Sequence, residues 1–248
     1  MKRFAQIWLF CFLLAAVLAH FKQAVFEAHH LPQTLHFGRD AFGRDCIPLL
    51  LSAAFESICA IIPVAGFCLF LSFLISLLIS FSNPKGAFVI KVMLDTLSSL
   101  PGFLFALALG VFFPDSEATL VLAAFFMIFP WLTRFFESHL TVLKLKEYVD
   151  ASRALGASKL AIFITHLLPE LLKLLVVIAP FLVTRLLLLE TSLSFLGLGQ
   201  VSEHETWGRL IYQGRDYLTE APWILVIFSF PLCITLFSLH LISRDDRL

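Results

Sequence analysis

The sequence predicts an all-α, polytopic membrane bundle of about six transmembrane helices, with a helix-turn-helix element on its cytoplasmic side. Three observations predict it. Mean hydropathy is +0.91, and 15% charged residues are too few to cover an ordinary soluble surface on 248 residues. Six stretches, 4–21, 54–81, 87–113, 118–136, 171–196 and 221–242, approach or exceed the roughly 20 apolar residues that a spanning helix needs. The basic residues are also sorted. With a cytoplasmic N-terminus, twelve Lys and Arg fall inside and five outside, leaving aside Arg185 within a span. Cytoplasmic loops retain such residues, so both termini and the stretch 147–170 are placed in the cytoplasm. The net charge of zero says nothing about partners.

The first stretch follows Lys2 and Arg3 and ends near Val17-Leu18-Ala19, which also fits a cleavable signal peptide. Its apolar run of about 18 residues is longer than a usual signal core and can just span, which favours retention. Cleavage would remove one helix without inverting the other five. The outer segment reads HFGRDAFGRD, in which Gly38-Arg39-Asp40 recurs as Gly43-Arg44-Asp45. Glycine permits tight turning, and each Asp can cap the segment after it. No other repeat, low-complexity run or long linker marks a boundary. The chain therefore divides into residues 1–53, a first helix with its external segment, and 54–248, the main transmembrane unit carrying the loop 138–170.

Five cysteines form no framework: Cys11, Cys59, Cys68 and Cys233 lie in spans, Cys46 stands near the outer segment, and no CxxC occurs. They are read as buried apolar residues. His29, His30 and His36 share one outer loop, but no acidic or cysteine ligand completes a metal spacing, so no metal is expected.

Pro63, Pro101, Pro130, Pro180 and Pro231 fall one to each of the last five spans, with Pro101, Pro130 and Pro180 as candidate bending points. Glu56, Asp95, Arg185 and Glu190 are charges within apolar stretches, and such groups need a partner or a wet cavity. Lys91 and Asp95, four apart, can pair on one face. Arg185 and Glu190, five apart, are poorly spaced for each other, so partners on other helices are expected. Structural ion pairing and lining of a pathway stay equally open for these groups.

The most informative stretch is EYVDASRALGASKLAIFITHLLPE, residues 147–170. Glu147 to Leu155 is rich in helix formers, with Asp150 and Arg153 three apart. Gly156 stands where a helix commonly ends with positive φ, and Ser158 can cap the next helix. Apolar residues 160–164 are too few to span before Pro169 introduces the fifth span. A helix-turn-helix at the inner membrane face results. Docking of a cytoplasmic partner and an interfacial hairpin without a partner fit this pattern equally.

No GxSxG, HExxH or comparable constellation exists, so no catalytic residue is assigned. A stand-alone ion-coupled secondary transporter or channel using Arg185 and Glu190 is the alternative from another class. It leaves the loop 147–170 without a role.

Asp150-Ala151-Ser152, then Gly156, then Leu168-Pro169 resemble the EAA loop of bacterial ABC importer permeases. The string EYVDASRALGAS…HLLP is similar to the oligopeptide, dipeptide and nickel branch, in its second-permease type. FGRDAFGRD resembles that branch's outer motif, Asp95 with Pro101 its third span, and Trp131 with Arg134 its fourth. ETSLSFLGLG followed by TWGRLI is similar to its fifth-span exit. Asp150 replaces the usual Glu and Ser152 the usual Ala, while Arg39 stands for Thr and Glu170 for Asn.

The resemblance implies a permease subunit in the inner membrane. Its implied partners are a second homologous permease, two cytoplasmic ATP-binding subunits, an extracytoplasmic solute-binding protein, peptide substrate and the lipid bilayer, with no nucleic acid. It also implies an ATPase-coupling loop made of Glu147, Asp150, Ala151, Ser152, Gly156, Leu168 and Pro169, and Asp95, Arg185, Glu190 and Ser194 as pathway candidates. The chain has no GxxxxGK[ST] phosphate loop, so no cofactor is expected on it and ATP is used by the partner subunits. Nickel import and antimicrobial-peptide transport stay open as other cargoes within the same family.

Overall fold

A backbone in lipid must satisfy its own N–H and C=O groups, and apolar runs do so as helices. The computed structural model describes residues 2–23, 38–40, 42–113, 117–198 and 205–243. In chain order these form α1 (Lys2–Gln23), α2 (Cys46–Phe81), α3 (Pro84–Ser99), α4 (Gly102–Phe112), α5 (Glu117–Met127), α6 (Phe129–Lys144), α7 (Glu147–Ala154) and α8 (Lys159–Ile162). A π-helical turn (Phe163–Leu167) then leads into α9 (Leu168–Phe195), α10 (Trp207–Arg215) and α11 (Pro222–Ser243). Cys46–Phe81, Lys159–Phe195 and Pro222–Ser243 are each long and apolar enough to cross a bilayer. The pairs α3 with α4 and α5 with α6 raise the number of candidate spans to five if each bent pair is one span. α1 contributes a shorter apolar stretch, Ala5–Ala19. The all-α membrane bundle is thus the fold, with three to five candidate spans among the described residues where the sequence suggested about six.

Proline decides some of the bends. Leu100, held extended (φ −72°, ψ 136°) by the Pro101 next to it, ends α3, and α4 leaves at 77°. The stretch 87–113 is therefore a broken span or a re-entrant loop rather than a straight helix. Pro130 sits in the first turn of α6, just past a 41° bend. Pro180 lies inside the unbroken α9, as Pro63 and Pro231 lie inside α2 and α11.

Pro169 departs most from expectation. It has no N–H to donate, and its ring crowds the carbonyl four residues back, yet the helix passes it. The turn Phe163–Leu167 widens to π geometry, the Leu168 N–H reaches back to the Phe163 carbonyl, and α8 runs into α9. The fifth span thus begins at Lys159 rather than 171, and α8 is its first turn rather than a separate helix.

α2 packs against α1, α6, α9, α10 and α11. Fully buried Trp207 joins several of these: its backbone N–H donates to Ser57 Oγ (2.9 Å) and its indole N–H to the Phe228 carbonyl (2.8 Å). Its ring stacks on Phe12 at 5.4 Å between centroids. Next to it, a Cβ on Gly208 would lie 2.7 Å from Ser194 Cβ and from the Thr191 carbonyl oxygen, so glycine is what lets α10 lie on α9.

The tandem before α2 is a tight turn, with Gly38 and Gly43 at φ 87° and 81°. Asp40 Oδ1 accepts from the backbone N–H groups of Phe42 (3.0 Å) and Arg44 (2.8 Å), and Oδ2 accepts from Arg44 Nε (2.6 Å). Asp45 occupies the N-cap of α2 but makes no capping bond, because its carboxylate is drawn to Arg39 at 3.3 Å. Arg44 then reaches Glu205 (3.3 Å) and Gln213 (3.4 Å), tying the turn to α10.

All five cysteines are free thiols. Cys46 and Cys68 are buried, but Cys11, Cys59 and Cys233 lie on outward apolar faces, contrary to the buried reading. His29, His30 and His36 lie outside the described residues, among which no group of three or more His, Cys, Asp or Glu could hold a metal.

Candidate functional site

Residues 145–170 form a hairpin that turns at Gly156 and packs against the end of α6. α7 opens with Glu147 and Asp150 in its first turn and carries Arg153 in its last, an arrangement that suits the helix dipole. Asp150 and Arg153 pair at 2.9 Å on the exposed face. Gly156 adopts φ 86° and the helix closes with a Schellman-type pattern: Gly156 N–H to the Arg153 carbonyl and Ala157 N–H to the Ser152 carbonyl, both 3.0 Å. Ser158 Oγ then accepts from Ala161 N–H at 3.2 Å, capping the ascending helix.

Apolar packing, a Tyr148–His166 ring contact at 5.4 Å between centroids and a hydroxyl–imidazole contact hold α7 against that helix. Val149 is fully buried in a cluster with Leu140, Leu143, Ile162, Leu167 and Leu171. Ser152 Oγ donates to the Tyr148 carbonyl (2.8 Å) and lies 3.0 Å from His166 Nε2 on the π turn. With its single proton committed to Tyr148, the hydroxyl is an acceptor for an N–H on His166. The π turn that passes Pro169 thus carries the imidazole that grips α7. Around this frame Ala151 and Asp150 are exposed, and Leu145 (77%), Leu155 (89%) and Leu160 (67%) stand out from the surface. Leu168 is half-buried and Pro169 exposed, so these two shape the frame rather than join the exposed tip.

The pathway candidates do not form one cluster. Asp95 pairs with Arg134, which also donates to the Lys91 carbonyl at 3.0 Å, while Lys91 pairs with Glu137 at 2.8 Å. The Lys91–Asp95 pair expected within α3 is therefore replaced by two pairs crossing to α6, because α3 packs beside α6 and brings an oppositely charged residue to each. Glu190 is buried. Its Oε1 accepts from Ser194 Oγ (3.0 Å) and its Oε2 from Thr191 Oγ1 (3.4 Å), next to Thr206, whose Oγ1 lies 3.4 Å from Ser194 Oγ. Arg185 has no part in this cluster. It is exposed and its guanidinium lies over the rings of Trp131 and Phe181, 4.8 Å from each centroid.

Sequence reasoning missed His166, Tyr148 and Val149 in the hairpin and Phe181 beside Arg185. Val149, an apolar residue amid polar neighbours in α7, carried a readable signal. His166 carried none, since its link to Ser152 depends on how the chain doubles back at Gly156.

Residues 69–244 match the family described as binding-protein-dependent transport system inner membrane component. Among similar proteins, a putative peptide transport system permease protein of Brucella suis biovar 1 is 31% identical over 211 residues, covering 85% of this chain and 71% of that protein. An oligopeptide transport system permease protein of Haemophilus influenzae is 31% identical, covering 85% and 68%. A glutathione transport system permease protein of Pectobacterium atrosepticum is 26% identical, covering 87% and 72%. An inward-facing crystal form of the MetNI methionine ABC transporter contains a chain with the same fold, at TM-score 0.64 and 18% identity, covering 79% of this chain and 94% of that one. The chain belongs to the binding-protein-dependent transport system inner membrane components, the permeases of ABC transporters.

Proposed function

We propose that this permease pairs with a second, related permease, two cytoplasmic ATP-binding subunits and an external solute-binding protein to import di- or oligopeptides, and that α7 with its flanking leucines docks on an ATP-binding subunit. The observation that carries the docking is the hairpin tip. An acidic first turn lies on a helix fixed to the bundle by Val149 and by the Ser152–His166 contact, with strongly exposed Leu145 and Leu155 flanking it and Leu160 exposed on α8. Large exposed apolar side chains beside charge on an anchored hairpin favour a protein partner over water. A stand-alone transporter has no use for such a tip.

The peptide cargo is supported by the peptide and oligopeptide permeases among the similar proteins. ATP belongs to the partner subunits, since the chain has no phosphate-binding loop. The test is affinity purification from native membranes followed by reconstitution with the solute-binding protein. Co-purification of ATP-binding subunits and ATP-dependent uptake of labelled peptide are expected. Uptake of nickel but not peptide, outward movement of peptide, or ATP-independent transport by the chain alone would each overturn the reading.

A further inference from the structure

Arg185 stands ten residues before the C-terminal end of α9, about 15 Å at 1.5 Å per residue, well inside a hydrocarbon layer about 30 Å thick. Its guanidinium rests over the paired rings of Trp131 and Phe181, which themselves pack at 5.3 Å between centroids, and Trp131 is also stacked on Phe135 at 5.8 Å. The rings fix the planar fork in place but offer its five N–H donors no lone-pair acceptor.

Among the described residues no carboxylate pairs with Arg185. Asp95 is engaged by Arg134 and Glu137 by Lys91. Glu190 lies five positions on, turned about 140° around the helix, and is buried among hydroxyls. An exposed guanidinium at this depth does not face hydrocarbon; it faces a wet path or an anion. A planar fork is the geometric complement of a carboxylate, which it binds by two parallel hydrogen bonds.

We propose that Arg185, resting on the paired rings of Trp131 and Phe181, is a carboxylate-binding station on the translocation path, and that its occupant is the terminal carboxylate of the transported peptide. This inference rests on the peptide-import reading above. The same carboxylate chemistry is available from an Asp or Glu of the neighbouring permease, and the experiment separates the two sources.

The complete transporter is reconstituted in proteoliposomes with solute-binding protein saturated either by a peptide or by its C-terminal amide. The wild type should move the free acid about tenfold faster than the amide, in keeping with loss of a charge-assisted bidentate contact. Arg185→Gln should lower the acid to the rate of the amide while leaving the amide rate and the assembly unchanged. Arg185→Lys, which keeps the charge without the fork, should fall between.

An equal loss of both peptides in an assembled Arg185→Gln complex would place the anion on the neighbouring permease and overturn the cargo assignment. Unchanged selectivity would overturn the station altogether. Should Arg185→Gln fail to assemble, Trp131→Leu removes one of the two rings beneath the guanidinium and keeps the cation; reduced acid-over-amide selectivity supports the station and unchanged selectivity overturns it. A wild type that carries neither peptide and shows no peptide-stimulated ATP hydrolysis would refute peptide import itself, and this inference with it.

Discussion

Replacing Gly156 isolates the geometry of the hairpin from its contacts. Its φ of 86° lies in the left-handed region, and a Cβ built there meets nothing within 4 Å. Any penalty on substitution is therefore backbone strain and not a clash. For an ordinary L-residue this costs about 1–2 kcal/mol, with alanine at the low end and a β-branched valine at the high end or above. Leaving the left-handed conformation also breaks the 3.0 Å bonds from Gly156 and Ala157 to the Arg153 and Ser152 carbonyls.

Opposing that strain are the buried Val149, the hydroxyl–imidazole contact and the Tyr148–His166 ring contact at 5.4 Å. A shift of about 2 kcal/mol changes the population of the native turn relative to alternatives roughly 30-fold. Gly156→Val should therefore insert and fold in the membrane, where its bundle contacts are untouched, yet lose most ATPase co-purification and transport-stimulated hydrolysis. Gly156→Ala should lose part, and Gly156→Asn, which tolerates positive φ, should stay near wild type. Co-purified ATPase per permease, at matched membrane levels, gives the ranking. Parental coupling in Gly156→Val, or an asparagine as damaging as the valine, would refute the strain argument.

Ser152→Ala removes the hydroxyl between Tyr148 and His166 at a cost of about 1 kcal/mol, so amide exchange in α7 should quicken by roughly fivefold while α2 is unaffected; unchanged exchange would mean that the contact does not hold α7. Gly208→Ala forces a Cβ to within 2.8 Å of the Thr191 backbone, so thermal stability of the solubilised protein should drop by about 1–3 kcal/mol, and an unchanged Tm would contradict the close approach of α10 to α9. Asp95→Arg places two cations together beside α6 and should impair transport. Adding Arg134→Asp should restore part of it, and a double variant no better than the single would deny the crossing pair.

What the sequence revealed and what it hid divide along a physical line. The glycine turn at 156 and the Ser158 cap were legible because both depend on neighbours within a few residues, and the structure has both. The partners of Lys91 and Asp95 were not, because a spacing rule within one helix is silent about the helix that packs beside it. The π turn before Pro169 was hidden for a related reason. Proline signals the end of a helix, and only the tight packing of Leu167 and Leu171 against α6 and α7 makes a widened turn preferable to a break. Arg185 and Glu190 are ill-spaced for each other, but partners on other helices are only part of the answer: Phe181, one turn before Arg185, and Ser194, one turn after Glu190, lie on α9 itself, while Trp131 comes from α6 by tertiary packing.

Docking of α7 on an ATP-binding subunit is tested most directly by photo-crosslinking in intact membranes. A photoreactive residue replaces Leu155, which is 89% exposed at the tip, and in a control replaces Leu188, which is exposed on α9. The docking reading predicts an adduct between the Leu155 position and an ATP-binding subunit, absent from the control and lost when Gly156→Val is added. Adducts from Leu155 with lipid alone, in a complex that hydrolyses ATP and transports normally, would contradict it and make the hairpin an interfacial element without a partner.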